Sequence, residues 1–329
     1  HIPTGPELYL PTRVNSMGFD LMHTPTLDVI ESARAPWKAH SWAAVPLLTV
    51  EAKPKKAVRL LNPAASSRSP GTVRNASPAD VQAALDNASV WDTPLEQRQE
   101  VLLRAADMLE SHYGEIFALL AREAGKGLPD CVAELREAVD FLRYYACQAT
   151  NTPPAGCFTC ISPWNFPLAI FCGQVSAALA AGNAVLAKPA EQTPLIAFLA
   201  TSLLHEAGVP RAVLQLLPGG GDVGAALVSD PRINGVAFTG STGTALRIRQ
   251  TMAKHCTPGT TLIAETGGIN AMIVDSTALP EQAVQSIVES AFQSAGQRCS
   301  ALRCLYIQED IAEDVIEMLA GAMEVLALG

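Results

Sequence analysis

The sequence predicts an α/β chain: a parallel sheet covered by helices on both faces, followed by the beginning of a second α/β unit. Three observations carry this. After residue 156, β-type runs alternate with helical or loop stretches; no charged residue occurs between Arg143 and Lys188; and Gly and Pro mark boundaries without forming a repeat. Strand and helix in alternation imply crossovers and a parallel sheet buried on both sides.

Residues 1–78 read as an extended, Pro-punctuated lead segment without a sustained period, expected to lie across a surface. Ser77 and Pro78 form an N-cap and first-turn pair. From there VQAALDNA, LEQRQEVLLRAADMLESHYGEIFALLAREAG and VAELREAVDFLRYYACQA keep apolar residues three and four apart, which predicts helices as far as Ala149. After the turn-rich NTPPAG, the runs CFTCI, NAVLAKP, AVLQLLP, INGVAFTG and TTLIAET predict strands. The stretches FPLAIFCGQVSAALAAG, TPLIAFLATSLLHEAG, GDVGAALVSD and STGTALRIRQTMAKH fill the gaps between them. A last unit starts with INAMIVD, continues as a helix over LPEQAVQSIVESAFQSAG, passes QRCSA and CLYIQED, and ends in IAEDVIEMLAGAMEVLALG. The expected divisions are 1–78 (lead), 79–267 (helices plus the parallel sheet) and 268–329 (beginning of a further α/β layer).

With 329 residues, half of them hydrophobic and 17% charged, the chain can bury a large core and is neither a disulfide-stapled module nor disordered. Lys plus Arg against Asp plus Glu is 23 − 32 = −9, and no basic cluster offsets it, so nucleic acid has little to hold. Most of the eight Cys sit in apolar runs, as reduced thiols do, and no basic-plus-apolar signal segment opens the sequence. A reducing cytoplasm is the expected compartment. The uncharged stretch is broken by Pro153, Pro154, Pro163, Pro167 and Asn183, which argues against a membrane span.

Some motifs suggest chemistry but have plainer readings. Gly219 to Gly224 matches G-x-G-x-x-G, yet it does not follow the first strand of the α/β region; a Gly-rich turn that lets a nucleotide approach suits it better than a dinucleotide fingerprint. Cys157 and Cys160 lie on one strand at a spacing that points them to opposite faces, so buried thiols are expected. The six His lack metal-ligand spacing, and no metal is expected.

Chemistry is carried by five segments at strand or helix ends: Ser162-Pro163-Trp164-Asn165-Phe166-Pro167, Lys188-Pro189-Ala190-Glu191, Phe238-Thr239-Gly240-Ser241-Thr242, Glu265-Thr266-Gly267-Gly268, and Gly296-Gln297-Arg298-Cys299-Ser300. Together and in this order they resemble the NAD(P)-dependent aldehyde dehydrogenase superfamily, with its PWNFP, KPxE, FTGST, ExGG and GQxC signatures. REAGKGLPD, the long ISPWNFP…KPAEQTPLIA run, ETGGxNAMIVDSxALPEQ and SAGQRCSALR are similar to the L-glutamate γ-semialdehyde (1-pyrroline-5-carboxylate) dehydrogenase module of proline utilization A proteins, and GPELYLPTRVNSMGFDL resembles the linker before it.

The resemblance implies a Rossmann-type NAD domain and a cysteine mechanism. Cys299 would add to the aldehyde carbonyl, and the Asn165 amide with the Cys299 backbone N–H would hold the oxyanion. Glu265 would activate water against the thioester. Cofactor contacts are implied for Ile161, Ser162, Pro163, Trp164, Lys188, Glu191, Gly221, Phe238, Thr239, Gly240, Ser241, Thr244, Glu265, Thr266 and Gly267. Lys188 and Glu191 would hold ribose hydroxyls, where a carboxylate repels a 2′-phosphate and so favours NAD, and Ser241 would serve the pyrophosphate at a helix N-terminus. Glu123, Phe166, Arg298 and Ser300 would touch the substrate, a small aldehyde.

This sequence departs from the family pattern in places. CQAT runs almost directly into NTPPAG, where the family has a longer oligomerisation-flap segment, and residue 269 is Ile where close relatives generally have Gln. Family elements beyond Gly329 include a second glutamate motif and the loop that anchors the substrate carboxylate. The expectation is part of a longer polypeptide that carries an FAD-dependent proline dehydrogenase domain and forms a homo-oligomer when complete. The expected reaction is NAD-dependent oxidation of L-glutamate γ-semialdehyde to L-glutamate, the second step of proline catabolism. The alternatives are a dehydrogenase for another small aldehyde, and a non-catalytic NAD-binding or assembly fragment.

Overall fold

The lead segment is not extended throughout. It holds α1 (Thr24–Arg34) and three short strands, β1 (Trp42–Ala44), β2 (Ala57–Arg59) and β3 (Gly71–Arg74). In this small sheet β3 lies between β1, parallel, and β2, antiparallel. A helix here escapes periodicity because Ile30 is the one residue of α1 that is buried; Pro25 in the first turn was the available signal. The structure, a computed structural model, describes residues 3–327.

Next comes α2 (Pro78–Asn87), started by a capping box in which Ser77 Oγ accepts from the Asp80 N–H at 3.2 Å and the Asp80 carboxylate accepts from the Ser77 N–H at 2.8 Å. It is followed by α3 (Leu95–Ser111), α4 (Tyr113–Glu123) and α5 (Leu128–Gln148). Gly114 on α4 permits close approach of α1, since a Cβ there would meet the Ala33 carbonyl oxygen at 2.5 Å.

From residue 157 the alternation is regular: β4 (Cys157–Ile161), α6 (Ala169–Ala180), β5 (Ala184–Lys188), α7 (Pro194–Ala207), β6 (Leu214–Leu216), α8 (Gly221–Val228), β7 (Ile233–Gly240), α9 (Thr242–His255) and β8 (Thr261–Thr266). The strand order is β6-β5-β4-β7-β8, with β5 parallel to β6 and β4 parallel to both β5 and β7. Alternate residues enter different cores. Cys160, Val185, Ala187 and Ala237 pack with α3 to α7, whereas Ile161, Leu186, Val236 and Phe238 pack with α2, α8 and α9. Period-two alternation between two apolar layers is how a sheet buried on both faces must be written. The sheet's outer strand β6 is flanked by the lead segment: Leu47 and Leu216 exchange two backbone hydrogen bonds, each 3.0 Å.

The described residues divide into two compact units between Glu265 and Thr266. The second unit holds β9 (Asn270–Val274), α10 (Pro280–Phe292), β10 (Leu302–Ile307) and α11 (Glu309–Glu324). β9 and β10 are parallel, and Val274, Val284, Ile287, Leu302 and Val315 form its core. The helix expected to run to Gly296 ends at Phe292, because Ser294 and Ala295 adopt left-handed φ values of 56° and 55°. No helix among the described residues is long and apolar enough to cross a membrane.

Candidate active site

In the first unit the expected site residues collect where strands of the parallel sheet end, the place at which open α/β sheets bind ligands. The 162–168 loop leaves β4 for α6. Ser162 is buried and donates its N–H to the Lys188 carbonyl at 3.3 Å, tying the ends of β4 and β5 together. Trp164 is exposed, and Asn165 and Phe166 are half-buried.

Lys188 ends β5 with its stem buried and its Nζ 3.7 Å from the exposed Glu191 carboxylate. Burial lowers its pKa, and Glu191 opposes that shift. Its stem runs beside Gly224 of α8: its Cδ would lie 3.7 Å from a Cβ placed there, an ordinary van der Waals contact. The Gly-rich turn at 219–221 leads into α8, with Gly220 as N-cap and space around Gly221.

β7 delivers Thr239 and Gly240 to the start of α9. Ser241 is the N-cap: its Oγ accepts from the Thr244 N–H at 3.2 Å and donates to Thr244 Oγ1 at 2.9 Å. Its hydroxyl thus fixes the helix terminus, whose first-turn N–H groups are the anion-binding feature. Glu265 and Thr266 end β8, with Glu265 exposed and open space around Gly267.

Gln174 was not singled out by the sequence. From α6 its Nε2 donates to the Ile161 carbonyl at 3.3 Å and to Thr239 Oγ1 at 3.0 Å, bracing β4 against β7. Gln174 Oε1 and Ser162 Oγ are buried with no hydrogen-bond partner in the protein, and buried polar atoms left this way call for a ligand or water. Together with the Lys188–Glu191 pair and the α9 terminus, they fit a dinucleotide.

Glu123 is placed differently from the expectation. It is buried at the end of α4, and its two carboxylate oxygens accept from the Leu195 and Ile196 N–H groups at 2.7 and 2.9 Å, capping α7. A carboxylate closed over a helix terminus is not presented to a substrate. Burial pushes its pKa to about 8 from an ordinary 4.5, against the pull of the two N–H bonds. The folded chain therefore keeps a proton that the unfolded chain releases, and this contribution to stability is lost as pH rises from 4.5 to about 8. In Glu123→Gln the urea midpoint should fall less between about pH 5 and about pH 8 than in wild type. An unchanged slope would show that the proton resides elsewhere.

In the second unit, residues 296–300 follow the left-handed pair as a tight loop. Gly296 has φ 67°, and a Cβ there would meet the Ala291 carbonyl oxygen at 2.8 Å, so this position requires glycine. The two left-handed non-glycine residues, Ser294 and Ala295, store backbone strain a few residues before Cys299, as functional loops often do. The loop is held by Asn270 of β9, whose Nδ2 donates to the Cys299 carbonyl at 2.6 Å and the Ala301 carbonyl at 2.9 Å, and by Arg303, which donates to the Gly296 carbonyl. Neither residue was expected. Arg298 is half-buried and Ser300 exposed.

Cys299 is the one exposed cysteine among the described residues. Burial raises the thiols of Cys131 and Cys157 to about 12 and those of Cys160 and Cys172 further still, which leaves them poor nucleophiles. No group of His, Cys, Asp or Glu among the described residues could hold a metal ion.

Comparison with known proteins places these features in context. Residues 49–329 match the model of the aldehyde dehydrogenase family. The bifunctional protein PutA of Klebsiella aerogenes is 50% identical over the whole chain, which spans 26% of that protein's length. A 1-pyrroline-5-carboxylate dehydrogenase of Anoxybacillus flavithermus is 38% identical over 82% of the chain, which covers 58% of that protein. Among solved structures, a 1-pyrroline-5-carboxylate dehydrogenase from Thermus with bound NAD superposes with a TM-score of 0.88 at 32% identity, over 96% of this chain and 67% of that one.

Proposed function

Since the chain belongs to the aldehyde dehydrogenase family, we propose that it supplies the cofactor-binding domain and the nucleophile of an NAD-dependent L-glutamate γ-semialdehyde dehydrogenase acting in proline catabolism. The observation that carries this is Cys299: an exposed thiol at the tip of a strained loop, fixed through its own carbonyl by Asn270.

Cys299 Sγ, as thiolate, adds to the aldehyde carbon to give a hemithioacetal, while the Asn165 amide and the Cys299 N–H meet the oxyanion. NAD, when bound, accepts the hydride. The thioester left on Cys299 is then hydrolysed by water that Glu265, exposed at the end of β8, deprotonates. Lys188 and Glu191 bind the adenosine ribose; Ser162, Gln174 and the α9 terminus orient the rest of the dinucleotide. Phe166, Arg298 and Ser300 shape the aldehyde's surroundings.

The same reading assigns the chain to a longer cytoplasmic polypeptide with an FAD-dependent proline dehydrogenase domain, assembled as a homo-oligomer. Its test is a substrate panel on the full-length polypeptide, followed by NADH absorbance. kcat/KM for glutamate semialdehyde should exceed that for propanal by about 10² or more, since a site built for polar groups rejects analogues that lack them. Equal values would overturn the substrate assignment.

The carboxylate of Glu191 also makes a cofactor prediction. Glu191→Gln removes its repulsion of a 2′-phosphate, so the preference for NAD over NADP should narrow by about tenfold. An unchanged ratio of kcat/KM for the two cofactors would remove Glu191 from the selection.

A further inference from the structure

A deeply buried ion pair is left unused by the mechanism above. Lys126 lies between α4 and α5 and Glu134 lies on α5; their side chains are 5% and 1% exposed, with Nζ 3.1 Å from Oε1. Taking two charges out of water costs so much that an apolar pair of similar volume would often stabilise the fold as well or better. Stability alone is a weak account of this pair.

Both residues also act on one short segment. Glu134 Oε2 accepts from the Leu168 N–H at 3.3 Å and the Ala169 N–H at 2.8 Å. These groups open α6, whose N-cap Leu168 has no side-chain cap of its own, so Glu134 caps the helix from outside. Lys126 Nζ lies 4.6 Å from the centroid of the Phe166 ring, a cation–π contact strengthened by its removal from water. The two contacts bracket the residues that follow Asn165. Burial also raises the Glu134 pKa to about 7, with Lys126 opposing the shift.

We propose that the Lys126–Glu134 pair is a positioning device for the 162–168 loop, fixing the Asn165 amide and the Phe166 ring for the aldehyde. The proposal rests on the reading of Asn165 and Phe166 given under Proposed function. Neither charged residue touches the reacting atoms; each acts through the loop it holds. A displacement of the oxyanion donor by a fraction of an ångström is enough to lower the rate while leaving the nucleophile and the cofactor's binding surface intact.

The test compares Lys126→Met, Glu134→Leu, which removes the acceptor for the Leu168 and Ala169 N–H groups, and the double variant in the full-length polypeptide, with glutamate semialdehyde and with propanal. Each single variant should lower kcat by about tenfold or more on whichever aldehyde the wild type oxidises, with an unchanged Kd for NAD and an unchanged rate of Cys299 alkylation by iodoacetamide. Each should also lower Tm, since it leaves the remaining buried group without its partner. The double variant, free of both charges, should regain part of the lost Tm without regaining kcat. This split is what a merely structural pair would not give: recovery of kcat with Tm in the double variant, or wild-type kcat in the singles, overturns the proposal. If a single variant fails to fold, the double variant decides.

Oxidation of propanal but not the semialdehyde by the wild type would defeat the substrate reading and still test the pair. If the wild type oxidises neither, the functional reading fails, and amide hydrogen exchange across residues 163–169 tests the positioning directly. Exchange should be faster in the double variant, and unchanged protection overturns the proposal.

Discussion

Cys299→Ala should abolish aldehyde oxidation, lowering kcat by about 10⁴-fold or more, while NAD still binds. The size of the effect follows from the chemistry. An aldehyde carbon becomes a hydride donor only once a nucleophile has made it tetrahedral, and among the described residues no other cysteine is exposed. The cofactor residues of the first unit do not depend on the thiol, so the Kd for NAD should stay within about twofold of wild type. Steady-state NADH production and a binding titration on the same preparation check both halves. Comparable turnover in the two proteins would refute the cysteine mechanism, and loss of NAD affinity would mean that the substitution had disturbed more than the nucleophile.

Asn165→Ala is expected to give the second largest loss, about 10² to 10³ in kcat, the usual cost of deleting one oxyanion donor. Asn165 is half-buried in the loop after β4, so a truncated side chain leaves no cavity in the core. The loss should fall on kcat, with KM for the aldehyde and the melting temperature nearly unchanged, because the amide meets charge that develops only as the thiolate adds. A matching rise in KM with kcat preserved would instead make Asn165 a ground-state contact. Measuring both constants on Asn165→Ala beside Cys299→Ala separates an electrostatic role from a nucleophilic one.

What could be read beforehand follows the range of the interactions involved. Strands β4, β5 and β7 are legible because their alternation and their Gly and Pro boundaries are local, and α6 is legible as a helix buried on all sides because nearly every residue in it is apolar. The signature segments are legible for the same reason, being contiguous. Lys126 and Glu134 were not, since Glu134 meets Leu168 across 34 positions of chain and only the packing of α5 against α6 unites them. Gln174, which meets Thr239 across 65 positions, escaped for the same cause. Asn270 reads as an ordinary strand residue until β9 and β10 pair. Glu123 shows the opposite case: the resemblance implied a substrate contact, but the terminus of α7 takes both of its oxygens. The left-handed turn at Ser294 and Ala295 carries no compositional signal, since neither residue is Gly or Asn.

The bridge between Leu47 and Leu216 bears on self-association. A parallel sheet that ended openly at β6 would present a row of unpaired backbone groups flanked by buried leucines, a template on which a second chain could add a strand. Leu47 fills that place within the chain's own fold, by two hydrogen bonds of antiparallel sense. The segment preceding the sheet thus acts as an edge guard, and its attachment matters more to solubility than its brief regular structure suggests. Damage to it is expected to appear first as aggregation through the exposed β6 edge.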